Sequence, residues 1–290
     1  MPDTMTDSNG YADLHLHSSR SDGHCSPTEL IDKCLSLGLR ALAIVDHDDV
    51  TALAEAIEYG KKHGMEVITG VELSVSFRDQ DIHILGYCFD FDNRELVDYL
   101  AFVKEERIKR AKRIVEKLAQ LGMPISFEAV LKKAGVGSVG RPHIADLLVE
   151  EGHVYSFQEA FNRYLGDGKP GNVKKHKTGI QKALKLVNNA GGVCSIAHPG
   201  LQIGYEKMLE LIKAGVDGIE VIHPRHNEQR VQVLRELVKR NGLLETGGSD
   251  YHGDNQGNNV LGKYKVRYKC VTRLKEAAAT LKGYSLAYDN

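Results

Sequence analysis

In YADLHLH, residues 11–17, apolar Ala12, Leu14 and Leu16 alternate with Asp13, His15 and His17. Successive strand side chains point to opposite faces, so the spacing predicts a strand with one apolar face and three polar groups on the other. The apolar face belongs in a core. The polar face needs water, hydrogen-bond partners or a bound ion, because a buried polar group left alone costs about 1 kcal/mol or more. Taken alone, the segment fits either a half-solvated edge strand or a strand that aims its histidines at a ligand.

Further on, the period switches repeatedly. Apolar runs RALAIVD, MEVITGVELS, DIHILGYCF, GVCSIAH, DGIEVIH and LLETGGSD alternate with helical periods such as SPTELIDKCLSLG, which Pro27 opens and Gly38 closes. Repeated β-α units with near-continuous apolar strands predict an α/β fold with a mostly parallel sheet or barrel of about seven strands. YKVRYKCV and the helical TRLKEAAATLK are expected to close it.

Residues 93–175 break this rhythm with a long charged helix, NRELVDYLAFVKEERIKRAKRIVEKLAQLG. Shorter helical segments follow, with no strand between them. The pattern predicts a barrel built from residues 11–92 and 176–290, a helical cap inserted at 93–175, and a flexible N-terminus at 1–10. On the helix over 107–121, Ala111, Ile114, Val115, Leu118 and Leu121 form a stripe, and Lys109, Lys112 and Arg113 point away from it. Arg107 and Arg110 fall on or beside the stripe. Such arginines either lay their stems along apolar neighbours with their heads in water, or reach into the cleft between cap and barrel to grip a phosphate.

The polar residues at strand ends change the picture. His15 and His17 end the first strand, with Asp22 in the loop beyond it; later strands deliver Asp46 and His47, Glu72, His83, His198, then Asp250 and His252. In parallel α/β folds, functional groups gather at the C-terminal ends of strands. Each residue alone is compatible with a structural role, and Asp22 before Gly23 suits a turn. As a set they point to metal, which favours the second reading of the first strand.

Composition narrows the partners. A net charge of −1 excludes a global basic field for bulk nucleic-acid binding. The five cysteines form no C-x-x-C pair, and no apolar run approaches a membrane span. A cytoplasmic protein with free thiols and no membrane association is expected.

DLHLHSSRSDG, VDHD, GVELS, AHPG and GGSDYHG, in that order, resemble the PHP family, named for polymerase and histidinol phosphatase. The resemblance implies a distorted seven-stranded (β/α) barrel with a trinuclear metal site. Its ligands here would be His15, His17, Asp22, His47, Glu72, His83, His198, Asp250 and His252, all of them present. The cap and its GRPHIA segment look like the stand-alone members that dephosphorylate nucleoside 3′,5′-bisphosphates, some of which also trim short RNAs from the 5′ end. That match makes Arg141 and His143 candidate substrate contacts; an exposed helix start at Pro142 is the plainer reading.

Imidazole and carboxylate donors without thiolate favour Mn²⁺, Fe²⁺ or Zn²⁺, and the family implies manganese or iron. Glu72 offers one oxygen to each of two ions, and the shared water they acidify would attack phosphorus; Asp22, His47 and His252 would hold a third ion. Asp46 and Asp48 either orient imidazole rings or cap a helix. His223 is placed to protonate a leaving group or simply to pack. The KKHK run at 174–177 reads as a solvated loop, with an RNA path as the alternative that nothing else in the sequence supports. A histidinol-phosphate-type phosphatase, a C–N hydrolase and a non-catalytic, metal-containing nucleic-acid-binding module are the alternatives to a nucleotide phosphatase.

Overall fold

The alternation at the N-terminus forms strand β1 (Tyr11–Leu16), and both of its faces are buried. Asp13, His15 and His17 have no exposed surface, so the solvated edge-strand reading fails. The computed structural model describes residues 10–288 apart from 79, 136, 201–202 and 254–259, with side chains up to Leu281.

Among the described residues eight strands make one sheet, where the sequence pattern counts about seven. In chain order the further strands are β2 (Ala41–Ile44), β3 (Glu66–Phe77), β4 (Gln80–Tyr87), β5 (Val193–Ile196), β6 (Gly218–Ile222), β7 (Leu244–Gly247) and β8 (Val266–Arg267). Their spatial order is β7-β6-β5-β4-β3-β2-β1-β8. Strand β4 runs antiparallel to both neighbours, because the link from Phe77 to Gln80 is too short for a crossover. The remaining neighbours are parallel, except that β8 is antiparallel to β1.

The sheet nearly closes into a barrel. Just past β7, the Asp250 amide donates to His15 O at 2.9 Å, and the His17 amide donates to Tyr251 O at 3.0 Å. Gly248 makes that approach feasible, since a Cβ there would lie 2.4 Å from the His15 nitrogen.

Helices α1 (Pro27–Ser36) and α2 (Leu53–His63) follow β1 and β2. Ser26 and Glu29 cap α1 reciprocally. The cap begins with α3 (Arg94–Gln120), which at 27 residues is about 40 Å long. Leu96, Tyr99, Leu100 and Val103 of α3 pack into the barrel core. Ala111, Ile114, Val115 and Leu118 pack into a separate core with α4 (Phe127–Ala134) and α5 (Arg141–Glu150). Arg107 and Arg110 therefore lie where α3 passes from one core to the other. A short helix α6 (Phe157–Ala160) runs into a π-helical turn, Phe161–Leu165.

Helices α7 (Ile180–Asn189), α8 (Tyr205–Lys213) and α9 (Glu228–Asn241) then alternate with β5, β6 and β7. Of the closing YKVRYKCV, two residues form β8, and α10 (Tyr268–Tyr288) already starts at Tyr268. Val271, Leu274 and Ala278 recur at helical spacing and bury against the sheet, and this burial overrides the β-branched local preference.

Candidate metal centre

The strand ends converge. His15 and His17 from β1, Asp22 beyond it, His47 after β2, Glu72 on β3, His83 on β4, His198 after β5, and Asp250 and His252 after β7 all reach one region. Four groups each keep their donor atoms within 4.8 Å of one another: His17, Asp22, His47 and His252; His15, His17 and Asp250; His15, Glu72 and His198; His47, Glu72 and His83. Glu72 is the hub. Its Oε1 lies 2.7 Å from His83 Nδ1 and 2.8 Å from His198 Nε2, and its Oε2 lies 3.1 Å from His17 Nε2 and 3.2 Å from His47 Nδ1.

Whether these residues suit metal can be tested on their own hydrogen bonding. His17 Nδ1, Asp22 Oδ1, His47 Nδ1 and Glu72 Oε2 are buried and have no hydrogen-bond partner. Orphans cost about 1–3 kcal/mol each unless something else satisfies them. Imidazoles and carboxylates without thiolate suit divalent ions of hard to borderline character. The residues present fit such ions. The strained backbone agrees: His198 and Asp250 hold φ of 26° and 51°, in the left-handed region that side chains rarely adopt.

The electrostatics belong to a metal-free cluster. Burial opposes a charged His17, but the carboxylates of Asp250 and Glu72 beside it outweigh it and push the ring up to about 10. Burial alone would raise the Asp22 carboxyl, yet His47 and His252 hold it well below the usual range. Desolvation pushes His47 down to about 3.

A ring of carboxylates supports these side chains. Asp46 accepts from Ser18 N at 2.8 Å, Ser18 Oγ at 2.6 Å and Ser21 Oγ at 2.6 Å, which fixes the loop leading to Asp22. Asp48 accepts from Ser74 N at 2.9 Å and Arg107 Nε at 3.0 Å. Glu220 on β6 takes His15 Nδ1 at 2.8 Å and the His198 amide. The His223 ring has both nitrogens engaged within the chain. The Arg225 amide donates to Nδ1 at 3.1 Å, and Nε2 faces Asp250 Oδ2 at 3.2 Å. This geometry orients Asp250, and it sets Nε2, the nitrogen that would protonate a leaving group, against that carboxylate.

A cavity of about 180 Å³ joins the cluster to the cap. Asp22, His47 and His83 line it together with Arg107, Arg110, Arg141 and Lys175. Arg107 is tied to Asp48, Arg141 NH1 lies 2.8 Å from Asp167 Oδ1, and Lys175 lies 3.4 Å from Asp81. Arg110 instead donates to Val173 O at 2.7 Å and Asn172 Oδ1 at 3.2 Å, and pairs with no carboxylate among the described residues. Burial, then the neighbouring Arg141 and Arg107, pull it down to about 10. His143 does not line the cavity. It is buried, and its Nδ1 accepts the Gly140 amide at 3.0 Å at the start of α5.

Residues 13–190 match the PHP domain. The chain belongs to the PHP family. A 5′-3′ exoribonuclease of Haemophilus influenzae is 37% identical over 83% of this chain and 89% of its own length. A 3′,5′-nucleoside bisphosphate phosphatase of Chromobacterium violaceum is 33% identical over 86% of this chain and 90% of its own. A solved structure from the same organism, titled an amidohydrolase with bound sulfate and no metal, superposes with a TM-score of 0.82 at 31% identity, covering 92% of this chain and 96% of that one. This PHP chain is thus a metal-dependent phosphoesterase.

Two residues of this PHP site escaped the sequence reading. Glu220 carried a signal, as the sole charge within the apolar strand GIEVI. Lys175 sat in a run that reads as solvated, and only the packing of residues 172–178 against α3 and β3 brings it to the cavity.

Proposed function

We propose that this protein removes the 3′-phosphate of nucleoside 3′,5′-bisphosphates and, at the same site, trims short RNA from the 5′ end. The observation that carries the reading is the single cavity lined both by members of the metal cluster and by four cations. A bisphosphate has two anionic ends about one sugar apart, and this cavity offers a place for each. A histidinol phosphate, with one phosphate and an amine, would set its cation against Arg107, Arg110, Arg141 and Lys175.

In this reading the scissile phosphate lies against Asp22, His47 and His83. Arg110 and Arg141 hold the second phosphate, and Arg110 gains the anionic partner it lacks among the described residues. Arg107, tied to Asp48 and Ser74, keeps α3 seated on the barrel rim while its guanidinium edge faces the cavity. Three divalent ions are assigned, manganese first and iron or zinc as alternatives. Asp22, His47 and His252 would hold one, and Glu72 with His15, His17, His83, His198 and Asp250 would hold the other two. Bound there, they would neutralise phosphate oxygens and acidify the attacking water. Cysteines without a disulfide among the described residues, and a nucleotide substrate, support a cytoplasmic setting.

The test is phosphate release from adenosine 3′,5′-bisphosphate by manganese-loaded protein, with histidinol phosphate alongside and Asp22→Ala as control. Turnover of the bisphosphate that the variant loses is the expected result. Turnover of histidinol phosphate alone would overturn the substrate assignment.

A further inference from the structure

The cation-lined cavity is the first of several openings onto the cluster among the described residues; a small one, of about 170 Å³, reaches His83 and His198. A second, of about 560 Å³, reaches Asp22, Asp250 and His252, and shares Asp22, Pro142 and Phe161 with the first. A phosphomonoester carries one organic substituent and needs one opening. A phosphodiester carries two, and they leave phosphorus in different directions. A cluster open on both sides fits the diester.

The first and second openings differ in chemistry. Four cations line the first, whereas Arg225, which is exposed, is the one lysine or arginine among the described residues lining the second. The second has aromatic rings in their place: Phe157 and Phe161, with centroids 5.0 Å apart, are both half-buried. Phe161 begins the π-helical turn, and such turns recur at functional sites. It stands on the wall common to both openings, with the Arg141 guanidinium 5.7 Å from its ring. Aromatic faces receive any base by stacking, and a lone cation suits a short strand rather than a long polyanion.

We propose that the second opening is a strand arm that holds the nucleotides 3′ of the scissile phosphate in single-stranded RNA, while the first opening holds the 5′-terminal nucleotide. The proposal rests on the phosphoesterase reading above and deepens it by giving the path of the polymer. In the step, the oxygen of water bonds to phosphorus and the P–O3′ bond breaks. The 3′-oxygen of the first nucleotide takes a proton, which leaves a nucleoside 5′-monophosphate in the first opening. The shortened strand keeps the phosphate as its new 5′ end and is a substrate again. With a bisphosphate, the same bond breaks and inorganic phosphate takes the place of the strand.

Manganese-loaded wild type, Phe157→Ala and Arg225→Ala are assayed on adenosine 3′,5′-bisphosphate and on the 5′-phosphorylated trinucleotide pApApA. Loss of one stacking face is expected to lower kcat/KM on the trinucleotide about tenfold in Phe157→Ala. Arg225→Ala, at an exposed position that folding does not need, is expected to lower it a few-fold and to flatten its salt dependence by about 0.7 in log–log slope. Both variants are expected to keep bisphosphate turnover within about twofold of wild type. Equal losses on both substrates, or no loss on either, overturn the strand arm. A wild type that hydrolyses the bisphosphate but leaves the trinucleotide intact overturns the arm and the RNA trimming, and leaves the bisphosphate reading standing. A wild type inert on both overturns the proposed nucleotide substrates, and the arm with them.

Discussion

Glu220 Oε1 stands 2.8 Å from His15 Nδ1, and neither side chain has any exposed surface. With Nδ1 committed to Glu220, His15 presents Nε2 to Glu72 at 3.4 Å and to Asp250 at 3.3 Å. The second oxygen of the same carboxylate accepts the His198 amide, on a residue whose backbone is left-handed. One strand residue thus orients two cluster members that come from different strands. Glu220→Gln keeps the volume but sets its NH2 against one of the two donors. Partners of this kind are worth 10–100-fold in metal affinity. Mn²⁺ binding by equilibrium dialysis should weaken by roughly that factor, and wild-type affinity in the variant would remove the orienting role.

Removing one wing of the cluster should remove one ion. Asp22→Asn keeps the shape of a residue that lies 3.3 Å from His252 and 3.8 Å from His47. Metal analysis of the purified variant is expected to read one equivalent fewer than wild type. Losing several kcal/mol of charge stabilisation corresponds to a fall of about a hundredfold or more in kcat. Unchanged stoichiometry would refute the three-ion assignment.

The metal-free protein should respond to alkali and the loaded protein should not. The His17 pKa in the folded chain is raised from 6.5 to about 10, because Asp250 and Glu72 overcome burial. A raised folded pKa contributes stability that is fully present below the unfolded value and is lost as pH rises through the folded one. The Tm of chelated protein should therefore fall between pH 7 and 10, whereas Mn²⁺, which displaces the proton, should hold it level and release protons on binding. Thermal scans and calorimetry in buffers of different ionisation enthalpy would show both effects. A Tm that declines equally with and without metal would count against the coupling.

Arg107 and Asp48 form an ion pair across the joint between cap and barrel, and the Asp48 side chain has no exposed surface. Burial alone would raise Asp48, but Arg107 holds it below the usual carboxylate range. Arg107→Ala leaves that charge buried and alone, at a cost of about 3–5 kcal/mol. Urea unfolding should show the loss, and adding Asp48→Asn to Arg107→Ala should restore part of it. Without recovery in the double variant, the pair would not be the cause.

Local pattern was enough to pick out the residues that the fold gathers into one cluster. The alternation around His15 and His17, and the polar residues closing each apolar run, are written within a few positions of each other, and backbone geometry alone sorts them onto faces and ends. The helix over 107–121 was legible for the same reason, and so was the ambiguous place of Arg107 and Arg110 on it. Periodicity carries no strand direction, so the reversal of β4 and the antiparallel pairing of β8 emerged only in the fold. Glu220 meets His15 across 205 residues, and Arg107 meets Asp48 across 59. The barrel's closure, the carboxylates that orient the ligands, the burial of His143 and the openings onto the cluster were decided by tertiary structure alone, because contacts across such separations depend on the register in which distant strands pair.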